Sequence, residues 1–294
     1  MKLRVRHTTA YVYGETVPLC HNLVHICPRD THHQRLLEYE LTIVPTPVAV
    51  RTGEDYFGNS VAWFSLQEPH RELSITAVSL VDIAKGVSGT PLSDAWESAV
   101  HSEATTADAE ARAYAFESPY IPISPKLADY ARPSFSPNRP LAEAAVDLMR
   151  RIHREFKFVS GVTAVGTPVL DVLRDRRGVC QDFSHLMVGC LRSLGLAARY
   201  VSGYLLTRPP PGKPRLVGCD ASHAWVSLWV PGYGWLDLDP TNDCIPGESH
   251  VTVGWARDYG DIGPVRGVIV GGHRHSLKVS VDVEPIEEKA AARA

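Results

Sequence analysis

Over the first 85 residues apolar and polar positions alternate with a period of two. Leu3 and Val5, then Tyr11 and Tyr13, recur at every second position. Leu41-Thr42-Ile43-Val44 and Ser74-Ile75-Thr76-Ala77-Val78-Ser79-Leu80-Val81 are rich in β-branched side chains. This is the pattern of strands with one buried face. Asp55-Tyr56-Phe57-Gly58-Asn59 places turn residues before Val61-Ala62-Trp63-Phe64, as in a hairpin. Strands at this spacing predict a small β-sandwich-like domain over 1–85. From 86 to 138 the periodicity dissolves into Gly, Ser and Ala, punctuated by prolines at 119, 122, 125, 133 and 137. That stretch reads as a connector, with short helical pieces over Asp108–Tyr114 and Pro125–Tyr130.

The period then becomes helical. Leu141, Ala144, Ala145, Leu148, Ile152 and Phe156 share one face, with Asn138 as the expected cap and Pro140 in the first turn. A second helix carries Phe183, Leu186, Met187, Cys190, Leu191 and Leu194, with Gly178 allowing a sharp turn before it and Gly195 closing it. Ala198–Leu206 reads as a strand. Ser222–Val230 and Trp235–Asn242 flank the turn Pro231-Gly232-Tyr233-Gly234 as a hairpin. Residues 254–267 look loop-rich, 268–283 return to strand, and 286–294 form a frayed tail. Arg208–Arg215 holds four prolines, which excludes a central strand and indicates a surface loop, read as a stiff linker rather than a lid. The expected class is α+β: a β-domain, the connector, and a core over 139–285 in which an antiparallel sheet packs on the second helix.

Composition narrows the function little. A formal charge of −3 without a basic run argues against nucleic acid as partner. No apolar stretch suits a signal peptide or a membrane span. Six cysteines at irregular spacing in 294 residues make no disulfide framework, so free thiols and a cytoplasmic location are expected.

The candidate chemistry lies at Cys180, in the first turn of the second helix. The positive helix end and the neighbouring Arg176 and Arg177 favour a thiolate. A cysteine nucleophile needs a base, and the base usually needs a group that holds it. Of thirteen histidines, His223 stands out because it opens the polar and aromatic face of a strand. His185, five residues after Cys180, leaves the helix on another face and reads as structural. If the hairpin centres on Gly232, paired residue numbers sum to about 464, and Asp239 becomes the diagonal neighbour of His223, roughly 7–8 Å away. Asp237 shares the face but lies roughly 13 Å along the strand. Asp239 is thus the expected orienter, with Asn242 a weaker alternative. Cys190 reads as buried and inert, and Cys219 as incidental. Cys20, His21, His25 and Cys27 have neither zinc-finger nor zinc-ribbon spacing, and no metal is expected there. Trp225, Trp229 and Trp235 read as core rather than as cleft wall.

Gly178-Val179-Cys180-Gln181-Asp182-Phe183-Ser184-His185, Ala197–Tyr204, Asp220–Val226 and Gly234–Asn242, in that order, resemble the bacterial transglutaminase-like superfamily. Arg257–Gly267 fits the same group. Cys27-Pro28-Arg29-Asp30-Thr31 and Asp55–Asn59 resemble the β-domain that precedes the core in these proteins. The resemblance implies a papain-like core with Cys180 as nucleophile, His223 as base and acid, and Asp239 as orienter. The backbone N–H of Cys180 would serve an oxyanion, with Gln181 or Tyr204 as a side-chain donor, and Asp182, Asp258 and Tyr259 as supporting residues. Animal members use calcium, but no spaced-aspartate loop occurs here, so no cofactor is expected. The expected activity is thiol-dependent acyl transfer on a peptide, protein or small amide, as amidase or cysteine peptidase. A protein-glutamine transglutaminase or a thioester-donor acyltransferase would use the same groups. A non-catalytic binding module would be expected to show a broken triad.

Overall fold

The computed structural model describes residues 1–85, 89–100, 105–207 and 222–286. Six strands come first: β1 (Lys2–Val17), β2 (Leu19–Val24), β3 (Gln34–Val44), β4 (Val50–Glu54), β5 (Ser60–Leu66) and β6 (His70–Ile83). The connector holds α1 (Trp96–Val100), α2 (Thr106–Ala111), a 3-10 turn (Arg112–Ala115), α3 (Pro125–Ala131) and a 3-10 turn (Arg132–Ser134). The core follows with α4 (Leu141–Glu155), β7 (Lys157–Phe158), α5 (Val169–Asp175), β8 (Arg177–Gly178), α6 (Cys180–Ser193), β9 (Ala198–Leu205), β10 (Ser222–Val230), β11 (Gly234–Leu238) and β12 (His250–Ala256). The chain ends with α7 (Tyr259–Ile262), β13 (Val265–Val270) and β14 (His275–Pro285). The proline-rich 208–215 segment, Cys219 and the 287–294 tail lie outside the described residues.

The N-terminal strands form a sandwich of two four-stranded sheets, ordered β14-β1-β6-β3 and β13-β2-β5-β4. Tyr13, Ile43, Leu73, Ile75 and Ala77 of the first sheet meet Cys20, Val24, Phe64 and Leu66 of the second in one buried cluster. The last two strands belong here and not to the core, contrary to the expectation from chain order. β14 pairs with β1 from Leu3↔Pro285 to Tyr13↔His275, and β13 pairs with β2. A long β1 would otherwise present an unpaired edge, and the returning chain covers it.

The core sheet has the order β11-β10-β9-β12. Ala198, Val226, Leu228, Val230, Leu236 and Leu238 of this sheet pack on Phe183, Leu186, Met187, Cys190 and Leu191 of α6, and α4 closes the cluster with Ala144, Ala145, Leu148 and Ile152. Two of the elements that escaped the sequence pattern belong to the core. One is α5. The other is β12, whose Gly254 reads as a break. An added Cβ at Gly254 would sit 2.3 Å from Asn59 Oδ1, so the glycine admits a side chain of the N-terminal domain against the strand. Asn138 is not the cap of α4: it adopts φ 61°, and Pro140 occupies the cap position without a side-chain bond.

Two carboxamides dock the domains. Gln34 donates to Thr252 O and accepts from Thr252 N, both at 2.8 Å. Asn59 donates to Trp255 O at 2.8 Å and accepts from Trp255 N at 3.0 Å. Each amide reproduces a strand's donor–acceptor pair on the open edge of β12. No helix among the described residues is long and apolar enough to cross a membrane.

Candidate active site

Local sequence sets the start of α6. Val179 is extended and offers no side-chain cap. Asp182 instead reaches back with Oδ2 to the Val179 N–H at 2.8 Å and accepts from Thr163 Oγ1 at 2.6 Å. An added Cβ at Gly178 would lie 2.7 Å from that Asp182 oxygen, so the glycine makes room for the cap. The cap places Cys180 as the first helical residue, where backbone N–H groups lack intrahelical partners and the helix field is positive.

The hairpin supplies the opposite wall. β10 and β11 pair as Val226↔Leu238, Ser227↔Asp237 and Trp229↔Trp235. In this register Asp239 follows the last pair, and His223 Nε2 donates to Asp239 Oδ2 at 2.7 Å. Asp237 is turned to Trp225, accepting from its indole N–H at 3.2 Å. Both groups of the first pair are buried, with Asp239 wholly inaccessible.

Asp239 is satisfied on both oxygens. Oδ2 also accepts from Asn242 Nδ2 at 2.7 Å and His250 Nε2 at 3.1 Å, and Oδ1 accepts from the backbone N–H of Thr241 and Asn242 at 2.9 and 3.2 Å. Asn242 thus supports the carboxylate rather than replacing it. Its Nδ2 lies 3.2 Å from His223 Nε2, but both are donors converging on one oxygen, so this contact is no bond. Burial opposes the charge on Asp239, yet the bonds from His223 and His250 outweigh it and hold the carboxyl below the usual range. Burial likewise opposes a charged His223. The bond to Asp239 and the neighbouring Cys180 outweigh that and raise its pKa to about 10.

His250 went unnoticed in the sequence, although it opens the alternation His250-Val251-Thr252-Val253 as His223 opens β10. His223, Asp239 and His250 bring three ligand atoms within 4.8 Å of one another. With an acceptor-only carboxylate between them, both Nε2 atoms carry protons, so the donor set fits a proton network better than a metal cage.

The remaining sequence candidates divide. Gln181 donates to Val165 O at 3.0 Å, on the outside of the helix start. The Tyr204 hydroxyl is occupied at the domain interface, 2.9 Å from His7 Nδ1. Neither is thus available as a side-chain oxyanion donor. Tyr200 is the buried tyrosine whose surroundings include Cys180, and burial followed by Cys180 raises its pKa well above the ordinary value. Asp258 caps α7 through Gly260 N at 2.8 Å and binds Tyr120 N at 3.0 Å. The Tyr259 N–H donates to His185 Nε2 at 3.1 Å. His185 is therefore structural: burial lowers its pKa to about 4, and its neutral ring pins the 258–260 turn to α6. Trp225 is core, lying edge-on to His250 at 5.3 Å. Trp229 and Trp235 are not wholly core, because they also line a cavity of about 1120 Å³.

A thiol at a helix start beside an imidazole–carboxylate pair on an antiparallel sheet, behind a β-sandwich, defines a transglutaminase-like protein. Residues 3–82 match the bacterial transglutaminase-like N-terminal region, and residues 128–240 match the transglutaminase-like superfamily. The chain is 42% identical over 298 aligned positions to the uncharacterized protein Rv2569c of Mycobacterium tuberculosis, covering 98% of this chain and 94% of that one. It belongs to the transglutaminase-like superfamily. A protein-glutamine gamma-glutamyltransferase of Pseudomonas aeruginosa is 34% identical over 128 residues, covering 42% of this chain and 19% of that protein. The crystal structure of a candidate cysteine protease from Cytophaga hutchinsonii shares the fold at a TM-score of 0.78 and 19% identity, covering 98% of this chain and 91% of that one.

Proposed function

We propose that this protein is a thiol-dependent acyl-transfer enzyme that opens amide bonds as an amidase or cysteine peptidase. The observation that carries the reading is the buried His223–Asp239 pair at 2.7 Å, with Cys180 close enough to the same imidazole to raise its pKa. An imidazolium beside a thiol favours the thiolate. The Cys180 sulfur attacks the substrate carbonyl, and the carbonyl π pair moves onto oxygen. The Cys180 N–H at the helix start meets that oxyanion, and Tyr200, kept neutral by burial, is the side-chain donor beside it. His223 protonates the leaving amine as the C–N bond breaks, leaving a thioester. Water, deprotonated by His223, then releases the acid and regenerates the thiol. Asp239 holds the ring throughout. The substrate is a peptide, protein or small amide, and five described cysteines as free thiols support a cytoplasmic setting.

A second reading replaces water by an amine, giving transamidation. The 34% identity to the Pseudomonas gamma-glutamyltransferase favours it over other acyl acceptors.

Alkylation tests the shared first step. At mildly acidic pH, iodoacetamide should label Cys180 faster than Cys190 or Cys244, and His223→Ala should slow that labelling by about tenfold or more. Labelling of Cys180 no faster than Cys244 would instead indicate a binding module. Partition of the thioester between water and added amine then separates hydrolase from transferase.

A further inference from the structure

Two arginines of the core are buried, and they are treated oppositely. Arg192 donates to the carbonyls of Tyr114, Ala198 and Arg257 and to Ser118 Oγ, at 2.7–3.2 Å. Arg199 on β9 is 7% exposed and makes no hydrogen bond among the described residues; its Nε is sealed from solvent without a partner. What holds it is stacking. Its guanidinium lies 3.9 Å from the centroid of Trp235 and 3.7 Å from that of Trp255. A buried cation with no bonded counter-charge is costly, and two cation–π contacts offset only part of that. Asp237 is an opposing charge that acts on it, but its bond goes to Trp225.

Arg199 also lines two cavities, of about 1120 and 570 Å³, which meet at Arg199 and Trp235. None of Cys180, His223 or Asp239 lines either. Arg199 pairs with Ser227, four residues along β10 from His223, or roughly 13 Å at strand rise. The larger cavity is walled by aromatic rings, among them Phe57, Tyr114, Trp229 and Trp235, with Glu110 and Glu117 at its rim. Its other cation, Arg257, is engaged by Asp261 at 2.8 and 3.0 Å.

We propose that Arg199 and its two tryptophans form a binding site, separate from the Cys180 centre, for the carboxylate of an apolar or aromatic ligand. Indoles cover both faces of the guanidinium, so a partner must approach edge-on and in plane. A flat carboxylate fits that slot and the fork of donors better than a tetrahedral phosphate. The aromatic walls take the apolar body. The C-terminus of a peptide and a small arylalkyl acid both present this chemistry.

The test uses the full chain carrying Cys180→Ala, so that turnover does not enter, and it does not depend on Cys180 being a nucleophile. Binding of N-acetyl-dipeptides ending in phenylalanine, as free acids and as C-terminal amides, is measured by calorimetry and tryptophan fluorescence, beside 3-phenylpropionate and its amide. The acids should bind at least about tenfold more tightly than the amides, the value of one charge-assisted pair. Arg199→Met should abolish that ratio, and Arg199→Lys, which keeps charge without the fork, should reduce it. A dipeptide acid binding more tightly than phenylpropionate identifies a peptide C-terminus; the reverse identifies a small acid. Should Arg199→Met not fold, the acid-to-amide ratio in the parent chain and in Arg199→Lys still decides. Equal binding of acid and amide, or no binding of any probe up to about 10 mM, overturns the site.

Discussion

At the residue scale the candidate site turns on one oxygen, Asp239 Oδ2, which receives His223, His250 and Asn242 together. Asp239→Asn replaces an acceptor by a group with only one acceptor oxygen, and the wrong His223 tautomer becomes the stable one. Turnover should fall by roughly 10²–10⁴, with the fold intact by circular dichroism. Asp239→Ala leaves buried donors unmatched as well and should cost about 3–5 kcal/mol in urea unfolding. The choice of Asp239 over Asp237 was legible in the sequence, because pair numbers summing to 464 follow from a turn at Gly232, and the observed pairs keep that sum. His250 was not legible, because a histidine eleven residues after Asp239 acquires meaning only once β12 is known to lie beside β9.

Among elements, β9 carries the tightest constraint. Gly203 pairs with His223, and an added Cβ there would lie 2.1 Å from Val251 O and 2.5 Å from the Trp225 ring. The glycine makes room for the Trp225 ring against β9. Gly203→Ala should therefore cost about 3 kcal/mol, read as a lower urea midpoint, and should slow Cys180 alkylation as β10 shifts. The helix start depends similarly on Asp182. Asp182→Ala removes the cap from Val179 N and should cost about 1 kcal/mol. Periodicity revealed α4, α6 and the hairpin because each buries one regular face. It missed α5 and β12, whose order depends on neighbours distant in sequence.

For the whole molecule, proton linkage runs in opposite directions at the two ends of the pH scale. His7, at the domain interface with Tyr204, and His185, in the core, are buried neutral with pKa values lowered to about 4. Their unfolded counterparts take a proton near 6.5. Between those values the unfolded chain binds more protons, so stability present above pH 6.5 is lost as pH falls toward 4. His223 is the reverse case: raised to about 10, its contribution is complete below 6.5 and fades as pH rises through 10. The urea midpoint should accordingly drop from pH 7 to pH 5, and His7→Gln with His185→Gln should flatten that drop. Docking adds a second expectation. Gln34→Ala with Asn59→Ala unpairs the edge of β12 and should expose the interface to limited proteolysis, at about 1–3 kcal/mol per lost amide.

What the sequence by itself determined is local: strand and helix periods, a glycine turn that sets a register, a cysteine at a helix start, and ordered motifs that name a superfamily. These are readable because period, turn chemistry and capping act between residues close in the chain. Tertiary structure alone decided the rest. It sent β13 and β14 back to the N-terminal sandwich, turned Gln181 and Tyr204 away from Cys180, brought His250 to Asp239, and stacked Arg199 between two tryptophans. Each of those outcomes depends on which surfaces meet once water is excluded, and contacts across tens to hundreds of residues leave no period in the chain to read.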